Sequence, residues 1–130
     1  MPEMSEGLIG LTLLEFLQAR LTEDELSAVA AIDGSPVWRS SLTFRDVKDD
    51  DGRYVIAADR LHPSAEQAAH IARHGPARVL ADVEAWRLVI ADYLRLDAAG
   101  DVLERGVIED VLRHLATVYA DHPDYNPSWS

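Results

Sequence analysis

The sequence predicts an α+β domain, mainly helical, in which about four helices pack with one antiparallel β-hairpin. Three observations predict it. Apolar residues recur at helical spacing in about four segments, two runs rich in β-branched and aromatic residues flank an acidic turn ending in Gly52, and the connections between these segments are short. At 130 residues the chain suits a single small acidic domain, residues 1–130, able to bury a core of its own.

The first helix is expected over residues 11–31. Thr12 followed by Glu15 has capping-box spacing, and Leu14, Leu17, Leu21, Ala28 and Ile32 follow near helical period. Thr22 with Glu25 repeats the capping spacing, so a break near Leu21 is an alternative. Asp33-Gly34-Ser35-Pro36 ends the segment with a turn and a residue that cannot extend the helical ladder.

The hairpin is expected to join Val37–Arg45 to Arg53–Ala58 across Asp49-Asp50-Asp51-Gly52. Two strands alone are marginal in water, so the pair must lie against helices. Trp38, Leu42, Phe44, Tyr54 and Ile56 are the candidates for its inward face, with a bulge where alternation fails.

Ser64 and Gln67 have the spacing to cap a short second helix reaching about His74, with Gly75 as its C-terminal cap and Pro76 opening the next helix. From Ala77 to Arg95, Val79, Val83, Trp86, Ile90 and Leu94 form the clearest amphipathic stripe. Asp101 with Glu104 starts a last helix, whose stripe reads Leu103, Val107, Val111, Leu115 and Val118. Gly106 inside it costs about 1 kcal/mol relative to alanine. Residues 120–130 form an aromatic and proline-bearing tail expected to fold onto the body.

Charge narrows the function classes. Twelve Lys and Arg stand against 23 Asp and Glu, a net charge of −11. Residues 1–35 hold seven acids and one base, and residues 96–130 hold seven acids and two bases, while the two middle stretches are neutral. Phosphate neutralisation needs a basic face, so direct nucleic-acid binding is not expected, nor is binding to an anionic membrane. The acidity reads as a solvated surface that keeps a small protein soluble, or as a face that mimics DNA or docks on a basic protein. There are no cysteines, which removes disulfides, a thiol nucleophile and thiolate zinc sites. An acidic start without a basic and apolar leader, together with no long apolar run, leads to the expectation of a cytoplasmic protein.

The candidate chemistry is sparse. His70 and His74 are one helical turn apart and can share an ion such as zinc, with His122, Asp121 or Asp124 completing the set if the tail returns beside them. The bland alternative has His74 near a helix C-terminus and His70 packed or solvated. No cofactor is otherwise predicted. His122-Pro123-Asp124 matches the tripeptide of J-domain co-chaperones, but that family sets it between two helices beside a basic face, which an acidic C-terminal stretch does not provide. A nucleophile elbow, a P-loop and a dinucleotide fingerprint are missing from the sequence, so no catalytic residue is assigned.

Arg73 and Arg78 flank the helix junction, where free N–H groups near Ala77 would form an anion site; the alternative is surface pairing such as Arg78 with Asp82. Tyr125 and Trp129 are candidate partner-binding anchors, or rings that clamp the tail. The leading reading is a non-enzymatic protein-interaction module acting through acidic or aromatic surfaces. A metal-binding protein or metal-dependent hydrolase built on His70, His74 and His122 is the alternative, and self-association is a third.

The residues carry a resemblance. The phrase running from His70-Ile71-Ala72-Arg73-His74-Gly75-Pro76-Ala77-Arg78 to Ala85 resembles the central signature of a small actinobacterial and actinophage family numbered 6221 among domains of unknown function. Tyr119 to Trp129 is similar to its C-terminal phrase, and Phe16 to Glu25 to its opening helix, so three ordered blocks span most of the chain. The resemblance implies no activity, but it suggests a phage-related protein engaging a host protein. Members of that family often carry cysteines ahead of the last helix; their absence here weakens the zinc reading. Gly75 stands where Asp is usual, and Val37-Trp38 replaces a Gly-Pro-Trp stretch.

Overall fold

A computed structural model describes residues 11–130; the acidic opening with Glu3 and Glu6 lies outside them. The described elements are α1 (Leu13–Ala30), β1 (Trp38–Ser40), β2 (Val47–Asp49), β3 (Tyr54–Ile56), α2 (Ala65–Arg73), α3 (Pro76–Ala98) and α4 (Val102–Ala116). Two short 3₁₀ turns follow, Thr117–Tyr119 and Pro127–Trp129. This is the mainly helical α+β fold that the periodicity predicts, with a three-stranded antiparallel sheet in place of a two-stranded hairpin. The contacts divide the chain into two compact units, one holding the described residues up to Thr22 with Glu84–Ser130, the other Glu23–Val83.

In the first unit, α1 begins as its spacing predicts. The Thr12 hydroxyl accepts from the Glu15 N–H at 3.1 Å, and the Glu15 carboxylate accepts from the Thr12 N–H at 2.9 Å. No break occurs near Leu21; the helix runs 18 residues without interruption. Phe16, Leu17, Arg20 and Leu21 form its buried face, and Ile90, Leu96, Leu112, Leu115 and Ala116 are the buried residues of α3 and α4 in this unit.

The expected stripe of α4 is corrected. Leu103, Val107 and Val118 are 85%, 64% and 74% exposed, Val111 is at the edge of exposure, and only Leu115 of that set is buried. Arg105 pairs with Asp97 of α3 at 2.8 Å, and Glu109 accepts a long hydrogen bond from the Tyr93 hydroxyl at 3.5 Å. Arg105, Glu109, Leu112 and Ala116 step by four, three and four, so these two polar contacts lie on the same side of α4 as the buried Leu112 and Ala116, and the row Leu103, Val107, Val111 is left on the opposite side. Burial and the Glu109 carboxylate raise the Tyr93 pKa, which keeps its hydroxyl protonated as the donor. Leu94, expected in the α3 stripe, is likewise exposed.

Gly106 meets open space at the position of an added Cβ, inside a helix. Gly106→Ala is therefore expected to stabilise the protein by about 0.5–1 kcal/mol through helix propensity, read as a higher urea midpoint with an unchanged slope.

The second unit holds the sheet, in the order β1-β2-β3. Trp38 pairs Asp49 and Ser40 pairs Val47, while Val47 pairs Ile56 and Lys48 pairs Tyr54 with a bulge between Val47 and Lys48. The long first strand expected over Val37–Arg45 is broken after Ser40. Ser41 makes a turn instead, its hydroxyl accepting from the Phe44 N–H at 3.1 Å and its carbonyl from the Arg45 N–H at 2.8 Å. Leu42 and Phe44 consequently stand 84% and 70% exposed, and with Tyr54 they leave the inward face expected for them.

Helix α2 packs on β1 and β2. Ser64 and Gln67 make both bonds of the expected capping box. Gly75 does not act as a left-handed cap. An added Cβ there would lie 3.1 Å from the Trp38 side chain, so its role is close approach.

Candidate functional site

The sequence-predicted ligands fall in different units. His70 and His74 share one face of α2, with ring centroids 4.5 Å apart and planes tilted by 41°. The His74 Nδ1 lies 2.9 Å from the His70 carbonyl, which can only accept, so Nδ1 carries a proton and donates it to that carbonyl. His122 belongs to the other unit. Its Nδ1 accepts from the Asp124 N–H at 3.0 Å, and its Nε2 contacts the Arg20 guanidinium, so both ring nitrogens are engaged within that unit. Asp121 and Asp124 are exposed. Among the described residues, no group of three or more His, Asp or Glu side chains can hold a metal ion.

The tail aromatics gather on Phe16, which is fully buried. Ring centroids of Trp129, His122, Tyr125 and Tyr119 lie 5.1, 5.7, 6.0 and 6.3 Å from it, most of them edge-on. Arg20 stacks its guanidinium over the same ring at 5.3 Å. Trp129 is 8% exposed, and the Tyr125 hydroxyl lies 2.5 Å from the Ser130 hydroxyl. Arg73 is exposed at the end of α2. Arg78 pairs with Asp82 at 3.4 Å, both side chains more than half exposed, an interaction worth a few tenths of a kcal/mol. The anion site expected near Ala77 is corrected, because the Ala77 N–H is given to the Pro36 carbonyl at 2.9 Å.

Three features were not singled out by motif. Asp49, 5% exposed, accepts the N–H groups of Ser35, Asp51 and Arg53 at 3.0, 2.9 and 2.9 Å. Burial pushes its pKa up, but the converging N–H donors outweigh burial and hold it below the ordinary value. An added Cβ on Gly34 would lie 2.7 Å from its Oδ2, so a side chain there would intrude on the carboxylate. The signal in the sequence is Asp49 followed two and four residues later by donors in a Gly-bearing turn.

The second feature is a groove of about 640 Å³ in the same unit, running between the end of β3 and α2. Ile56, Ala57, Pro63 and Ile71 give it an apolar lining. Asp59, His62, Glu66, Gln67 and His70 supply its polar groups. The third is the outer face of α4, where Leu103, Val107 and Val111 stand in one exposed row, with Val118 also exposed in the 3₁₀ turn that follows. Glu104 and Asp110 flank that row, and neither carboxylate forms an ion pair among the described residues.

With this geometry in place, the comparisons define the class. The chain belongs to the Family of unknown function (DUF6221), whose model matches residues 11–130. No curated protein and no solved structure matches the chain. No helix among the described residues is long and apolar enough to cross a membrane.

Proposed function

We propose that this protein is a non-enzymatic protein-interaction module whose contact surface is the outer face of α4. The observation that carries the reading is the exposed row Leu103, Val107 and Val111 on a helix whose other face is already buried. Contiguous exposed apolar surface of this kind marks interaction sites, since covering it returns about 25 cal/mol per Å². The flanking Glu104 and Asp110, in a stretch with seven acids and two bases, select a partner helix bearing Lys or Arg beside its own apolar face. A second copy of this acidic surface would instead bring like charges together.

The test uses a synthetic amphipathic helix of Leu and Lys, its Leu and Glu counterpart, and the double variant Leu103→Gln, Val107→Gln. The basic peptide is expected to bind the wild type, to lose about tenfold in affinity against the variant, and to weaken with salt. Equal binding of both peptides, or no loss in the variant, would overturn the reading. So would light scattering that shows a wild-type dimer abolished by the double substitution.

A further inference from the structure

We infer that the groove between β3 and α2 is a binding site for a small aliphatic amine, its hydrocarbon chain lying on Ile56, Pro63 and Ile71 and its ammonium group facing Asp59 and Glu66. The volume of about 640 Å³ falls in the range of small-molecule sites, and the lining has the composition such sites have, apolar walls with a few polar groups. Glu66, which has no cationic partner among the described residues, sets the sign of the ligand, and Asp59 adds to it although the Arg45 guanidinium is near enough to act on its carboxylate. An anion of the same length would meet both carboxylates, whereas an ammonium is attracted by both while its chain covers apolar wall. The Glu66 side chain forms no hydrogen bond or ion pair with another described residue, so its carboxylate is available to a ligand.

One wall is built before any ligand arrives. The Asp59 Oδ1 accepts the N–H groups of Leu61 and His62, both at 2.8 Å, and the Asp59 N–H is given to the His62 carbonyl at 2.9 Å. Arg45 then spans the loop, donating to the Asp59 carbonyl at 2.5 Å and to the Pro63 carbonyl at 2.7 Å. Arg45 does so from a left-handed backbone, φ 57°, which a residue with a side chain adopts only under constraint. A wall tied at both ends loses little freedom when a ligand settles on it. The hydrogen bonds from His62 and Leu61 hold the Asp59 pKa below its ordinary value, so the carboxylate stays ionised at neutral pH.

The experiment is a titration of ¹⁵N-labelled protein with pentylammonium, and separately with pentanoate, at neutral pH and moderate salt. Pentylammonium is expected to produce saturable shifts confined to residues 56–71 at about millimolar concentration, and pentanoate none. Glu66→Gln, at an exposed position, is expected to weaken binding about threefold to tenfold with the remaining spectrum unchanged. Asp51→Asn, outside the groove, is the control and is expected to leave binding as it was. If Glu66→Gln disturbs the fold, Ile71→Val replaces it, with a smaller loss expected. Shifts spread over many acidic residues, equal shifts with pentanoate, or binding untouched by both groove variants would overturn the assignment. The outcome is independent of the α4 experiment, which reads residues of the other unit.

Discussion

Phe16→Ala is expected to cost about 3–5 kcal/mol and to release the C-terminal rings from the first unit. The side chain is fully buried and is the common neighbour of Tyr119, His122, Tyr125 and Trp129. Removing it deletes apolar area and opens a cavity whose lining includes four rings that the tail alone cannot close up. Domains of this size are stable by only about 5–15 kcal/mol, so the variant would sit near the edge of folding. Urea unfolding at neutral pH measures the loss, and the indole signal of Trp129 reports the tail. Trp129→Ala, at a position 8% exposed and 5.1 Å from Phe16, is the partner mutation. Because the two side chains share one contact, the double variant is expected to lose less than the two single losses together. Full additivity would show that Phe16 does not hold the tail through Trp129.

Asp49→Asn is expected to destabilise the second unit at neutral pH and to flatten its response to acid. The carboxylate draws three backbone N–H groups into one turn, and an amide presents its own donors to part of that set. The sign of the pH effect follows from the lowered pKa of Asp49. A carboxylate whose folded value lies below its unfolded value of about 3.9 stabilises the fold fully above that pH. The stabilisation is lost as pH falls through the lower folded value. Thermal melts are therefore expected to show a constant gap between wild type and variant from neutral pH down to about 5. The gap should then close in more acid solution as Asp49 takes up its proton. A gap that held its size through that acid range would mean that ionisation of Asp49 is not what organises the turn. Asp51→Asn, at an exposed position in the same turn, serves as the control.

What the sequence determined by itself was everything that depends on neighbours along the chain. Thr12 with Glu15, Ser64 with Gln67 and Asp101 with Glu104 all place a side-chain oxygen within reach of an N–H three residues on, and all three bonds form. The acidic turn closes at Gly52, whose φ of 83° no other residue type adopts as easily. Family membership was legible for the same reason, since blocks of residues in order survive without knowledge of contacts.

Tertiary structure alone decided which groups meet. Helix α4 offers two apolar rows, and periodicity weighs them by hydrophobicity, which favours Leu103, Val107 and Val111. The buried row is the one that carries Leu112, Leu115 and Ala116, on the side where Arg105 and Glu109 reach Asp97 and Tyr93 of another helix. Arg20 and His122 come together across 101 intervening residues, and the groove needs Arg45 to tie a loop that begins at Asp59. Local spacing sets a hydrogen bond between residues three apart because the backbone leaves few other geometries. Burial has no such guide, because it depends on what another segment presents, and that is known only once the chain has folded.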